Sequence, residues 1–191
     1  MDLADGAVDI IMCKEAYHHF PRAPLAFYEF LRVSRFSFVL IEPIAVPGRP
    51  LDIARSLAKM MLRRRGRAFD QFEPVGNFIF RVSLPEVHRM LSALQTPWFA
   101  VREFNNFITR SLAKKSERNR LALLIFRLGI AAQDFLVRVR LIAPGMAIIF
   151  VPTGATDNEY RDALARGGFR IVTTPKNPYR PDAALTRFLD G

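Results

Sequence analysis

Eleven residues near the start of the chain, "MCKEAYHHFPR" from Met12 to Arg22, gather a thiol, an ammonium, a carboxylate, a phenol and two imidazoles. They follow directly on the apolar run Val8–Met12. An imidazole titrates near neutrality, so His18 and His19 are candidate proton acceptors, with Tyr17, Glu15 and, farther along, Glu42 as further ionisable groups. Cys13, placed straight after an apolar strand, reads as a small core residue rather than a nucleophile. No metal is expected. The two adjacent imidazoles match no ligand spacing, the third histidine, His88, falls on a separate expected helix, and a single cysteine excludes both a disulfide and a multi-cysteine zinc site. Neither a G-x-S-x-G elbow nor a P-loop is present.

The elements that must position these groups are legible. Val8–Met12 is continuous and β-branched, as expected of a strand buried on both faces of a parallel sheet. Residues 24–33 carry apolar side chains at helical spacing, with proline only in the opening turn. "FSFVLIEP", Phe36 to Pro43, reads as a second buried strand. Strand, helix and strand make a βαβ unit with a right-handed crossover, so both strand ends point the same way. Glu15, Tyr17, His18, His19 and Glu42 are thus expected to line one cleft beyond the carboxyl ends of the strands.

Farther on, residues 51–66 form an amphipathic helix ending in a basic run. Ser83-Leu-Pro-Glu86 is a capping-box sequence opening another helix, and Trp98–Phe104 alternates as a strand. Residues 117–142 read as helix in two pieces broken near Gly129, with Leu121, Leu124, Ile125 and Leu128 facing inwards. "MAIIFVP" is a further strand, Thr156-Asp-Asn-Glu159 a second capping box, and a helix ended by Gly167-Gly168 leads to the strand "FRIVTTP". The sum is α/β in a single domain over 1–191, with inserts over 44–82 and 107–143 and an extension over 153–191.

The chain has 191 residues and a formal net charge of +10, concentrated between residues 51 and 120. Such a balance raises nucleic acid or an anionic surface as a partner. The aromatics are mostly Phe within apolar periodic runs, which suits packing more than base stacking, so nucleic acid is the less favoured partner. The most apolar regions, 121–133 and 141–156, are broken by charge or fall short of the ~20 residues a membrane span needs. The acidic start lacks the order of a signal peptide, and a cytoplasmic location is expected.

"DGAVDIIMCKEAYHHFPRAPLAFYEFLRV", followed by "FSFVLIEP", resembles the second half of a class I S-adenosylmethionine-dependent methyltransferase, of the type 11-like kind. Asp5, Gly6, Asp9, His19, Glu29, Arg32 and Val33 carry the match, while Val8 stands where the family has an aromatic residue. The resemblance implies a partial Rossmann-like sheet, from the family's fourth strand onward, with a helical insert and a C-terminal helix–strand extension. It implies methyl transfer from S-adenosylmethionine to an acceptor, with a small molecule as the expected substrate.

By that resemblance Cys13, Lys14 and Glu15 border the methionine part of the cofactor. His19 is then the first choice of general base, with His18, Tyr17 and Glu42 as alternatives. Glu42, Asn77, Asn106 and Asn177, together with Asn105, would contact substrate. The family's glycine-rich loop and the acidic residue that takes the ribose both precede the matching region and have no counterpart here. The activity of this chain alone is therefore expected to be incomplete. The bare edge of its first strand is expected to pair with a complementing chain or a second copy. Two other readings are a non-catalytic pseudoenzyme subunit and a basic module using Arg63 to Arg67, Lys114, Lys115, Arg118 and Arg120.

Overall fold

The computed structural model describes residues 2–61, 72, 78–105, 119–154 and 158–178. Asn77, Asn106, Arg63 to Arg67, Lys114, Lys115, Arg118 and the Thr156–Glu159 capping box lie wholly or partly outside them. The chain divides into two compact units. One comprises residues 1–45, 71–102 and 147–191, and the other 46–70 and 103–146.

The first unit begins with β1 (Val8–Lys14), a 3-10 turn (Tyr17–His19), α1 (Ala23–Val33) and β2 (Ser34–Pro43). β1 and β2 pair in parallel, with Ile11 opposite Phe38 and Lys14 opposite Ile41. This is the expected βαβ unit. α1 forms because proline sits only in its first turn and its apolar residues recur on one side, burying Phe27, Phe30 and Val33. Phe27 and Phe30 meet Phe38 of β2 with ring centroids 4.9 and 5.9 Å apart, which fixes the helix on the sheet.

α3 (Leu84–Ala93) opens where Ser83 accepts a hydrogen bond from the Glu86 backbone N–H at 3.3 Å, as the capping sequence requires. β3 (Trp98–Phe104) follows, and β4 (Met146–Pro152), α5 (Asn158–Arg166) and β5 (Arg170–Thr173) complete the sheet. Its strand order is β1-β2-β4-β3-β5. β5 runs antiparallel to β3. Thr153, just past β4, donates to the Phe36 carbonyl near the start of β2 at 2.9 Å, so β4 runs against its neighbour β2 and the sheet is mixed. Gly154 permits that closure: a Cβ there would stand 2.5 Å from the Arg35 carbonyl oxygen. Gly167 and Gly168 end α5 as expected, with Gly168 at φ +81°.

β1 lies at the end of the sheet. The sequence expectation of burial on both faces is corrected here, since Ile10 and Met12 are exposed.

In the second unit, α2 (Pro50–Met61) is tied at its start by Asp52. Its carboxylate accepts the backbone N–H of Arg49 at 3.1 Å and of Ala143 at 2.7 Å. α4 (Arg120–Arg138) is capped by Asn119, which accepts from the N–H groups of Leu121 and Ala122. α4 is one helix, not two. Gly129 costs about 1 kcal/mol in mid-helix, and the apolar periodicity on either side of it outweighs that. A second correction concerns its orientation: Leu121, Leu124, Ile125 and Leu128, expected to face inwards, are 64%, 53%, 51% and 60% exposed.

Candidate functional site

The carboxyl ends of β1 and β2 meet at a buried carboxylate. Glu42, the penultimate residue of β2, is fully buried. Its Oε1 accepts the backbone N–H groups of Ala16 and Tyr17, each at 2.8 Å. Its Oε2 lies 2.6 Å from Nδ1 of His18. The Cys13 thiol points at Oε1 from 3.8 Å. A carboxylate can only accept, so with Glu42 in that form Nδ1 of His18 is the donor, and in the neutral imidazole Nε2 is then the nitrogen that keeps a lone pair.

The loop geometry makes this clamp. Glu15 takes φ +49°, turning the chain sharply out of β1, while its N–H extends the ladder to the Ile41 carbonyl at 2.9 Å. The turn delivers two successive N–H groups to one oxygen. The short helical turn that follows sets His18 over the other oxygen. The backbone carbonyl of His18 is held in turn by the N–H of Phe80 at 3.0 Å.

The sequence candidates therefore separate. His18 is largely covered and oriented by a carboxylate. His19 is exposed, its ring 4.0 Å from that of His18. Tyr17 is a core side chain, packed edge-on against Phe20 and Phe80. Burial first, and the charge of Glu86 second, push its phenol well above the ordinary range, so it is no proton acceptor near neutrality. Glu42, expected to touch substrate, has no surface to offer one; its work is to hold the turn and the imidazole. Lys14 and Glu15 are exposed. Asn105 is buried. Asn177 is held at the turn before β3, its N–H donating to Gln95 at 2.8 Å.

Burial, and next the nearby charge of Glu42, push the Cys13 thiol up to about 11 from an ordinary 9.0. The thiol is expected to resist iodoacetamide at neutral pH in the folded chain and to react once denaturant is added. Prompt alkylation of the native protein would contradict the burial. The sign follows: stability from the protonated thiol is complete below pH 9.0 and is lost as pH rises through about 11.

At the amino end of β1, the far end of the strand from the site, Arg32, Glu29, Asp5, Gly6, Asp9 and Arg35 form a brace. Arg32 of α1 grips Glu29 in a two-bond contact of 3.0 and 2.8 Å, the Leu3 carbonyl at 2.8 Å, and Asp5. Gly6, at φ +62°, donates its N–H to the Arg32 carbonyl. Asp9 pairs with Arg35. The Arg32 guanidinium holds the Glu29 carboxyl down at about 2, against an ordinary 4.5. The clamp on Glu42 could be read from the sequence only as proximity, because two of its donors are backbone groups that carry no residue signature.

No family model, curated protein or solved structure matches this chain.

Proposed function

We propose that this chain carries the proton-accepting part of an S-adenosylmethionine-dependent methyl-transfer site, with His18 as general base. The single observation behind this reading is the 2.6 Å contact between His18 Nδ1 and the buried Glu42 carboxylate at the carboxyl ends of two parallel strands. A base fixed by a third group is the arrangement that proton abstraction requires. The family resemblance of residues 5–42 supplies the reaction type.

His18 Nε2 would take the proton from an O–H or N–H acceptor, and the donor would supply the methyl group, its methyl–sulfur bond breaking so that neutral S-adenosylhomocysteine leaves. Glu42 would stabilise the imidazolium that results. By resemblance, S-adenosylmethionine is the methyl donor, but the described residues do not by themselves make a grip for it. At the end of β1, Met12, Lys14 and Glu15 face outwards, and the Cys13 thiol is turned to Glu42. Among the described residues, the buried side-chain atoms left without a partner are on Ser37, Arg49, Thr96 and Gln133, none of them in the 13–20 segment. On this reading a complementing segment holds the donor and a small molecule is the acceptor.

The test is a fusion that places a glycine-rich methyltransferase half ahead of Asp5, assayed for S-adenosylhomocysteine release with a small-molecule extract as acceptor source. The fusion is expected to turn over, and His18→Ala to slow it by about 100-fold or more. Donor binding without transfer, or equal rates with and without His18, would overturn the reading. The unfused chain is expected to give no heat on titration with S-adenosylmethionine.

A further inference from the structure

The net charge of this protein resides entirely in one of its two units. Residues 46–70 and 103–146 contain fifteen Lys and Arg against five Asp and Glu, which accounts for the +10 of the whole chain. The other unit balances thirteen against thirteen. In that same basic unit α4 turns an apolar stripe outwards. Leu121, Leu124, Ile125, Leu128 and Phe135 are all more than half exposed. At helical pitch they fall within an arc of roughly 100°. Arg120, Arg127 and Arg138, also exposed, align along one border of that arc.

We infer that this unit docks on an anionic lipid bilayer through the outer stripe of α4. The aliphatic residues would enter the acyl boundary while the bordering arginines, whose stems extend along apolar surface, reach the headgroup phosphates. The unit's charge adds long-range attraction to anionic lipid. α4 lies along the surface rather than across it, since no described helix is long and apolar enough to cross a membrane and Arg127 falls near its middle. RNA is the poorer fit, because the exposed stripe presents four aliphatic side chains and a single aromatic one where base stacking would use several aromatics. The inference is independent of the methyl-transfer reading and uses none of its residues.

The experiment is co-sedimentation of the purified chain with vesicles of phosphatidylcholine alone and of phosphatidylcholine mixed with phosphatidylglycerol. The chain is expected to sediment with the mixed vesicles only, and less so as salt rises. The double variant Leu124→Ser, Leu128→Ser is expected to lose about tenfold in partitioning. Arg127→Glu with Arg138→Glu should lose a similar factor, about tenfold. His18→Ala should sediment as the wild type does. Circular dichroism checks the fold of each variant, and Leu128→Gln replaces the leucine pair should that pair unfold.

Absence from both vesicle pellets would overturn the proposal, as would retention when the leucines are changed. So would tight binding to polyuridylate by a chain that ignores vesicles, which would identify the face as one for RNA.

Discussion

Replacing Glu42 with alanine is expected to lower the unfolding free energy by about 3–5 kcal/mol, since each buried donor left unsatisfied costs roughly 1–3 kcal/mol and the lost side chain leaves a void. The size follows from what the carboxylate holds: two backbone N–H groups and an imidazole, all at 2.6–2.8 Å. Alanine strands the Tyr17 donor, which is buried, and the Ala16 donor, which is partly so, and frees the turn that presents His18. Glu42→Gln keeps the volume and one accepting oxygen, but its amide hydrogens point at a donor. It should recover part of the stability and little of the orientation of His18. Urea unfolding of the three proteins measures the first effect, and a loss under about 1 kcal/mol for Glu42→Ala would mean that the turn is held by something other than this clamp.

Phe38→Ala is expected to destabilise the first unit by a comparable amount, about 3–5 kcal/mol. Phe38 is fully buried in β2 and is the surface on which both Phe27 and Phe30 of α1 rest. Truncation removes the ring and leaves a cavity between helix and strand, which the neighbouring rings can fill only in part. Phe38→Leu, closer in volume, should cost less, about 1–2 kcal/mol. Equal losses for the two would show that the pocket collapses freely, contrary to the close packing of the three rings. The consequence extends to the amino end of β1, because α1 carries Arg32, which braces the segment leading into that strand.

The parts of the fold that were legible in the sequence are those whose signal is one-sided. Val8–Met12 and Phe36–Pro43 are apolar runs bounded by turn residues, and the Pro-opened helix between them leaves little choice but βαβ. α4 was legible as a helix and illegible in orientation. Its second face, with Leu123, Phe126, Ile130 and Val137, is as apolar as the first, so periodicity could not say which one meets the protein. Gly129 likewise reads as a breaker, although a helix with an open flank at that position tolerates it.

At the site, topology alone brought Glu42 close to His18 and His19. The choice between the two histidines depends on a positive-φ residue, Glu15, that is not glycine and so carried no warning of the turn. The asparagines were chosen for chemistry with no element to place them. Of these, Asn177 is fixed by Gln95 before β3, while Asn77 and Asn106 fall outside the described residues.

The most direct measurement is of the imidazole nitrogens of His18, by two-bond nitrogen–proton correlation in the labelled protein above neutral pH. The expected spectrum has Nδ1 protonated and Nε2 bare for His18, with Glu42→Gln shifting the balance of the two forms. A His18 protonated at Nε2, or one whose tautomers are unchanged by Glu42→Gln, would contradict the assignment of this side chain as a base held by a buried carboxylate.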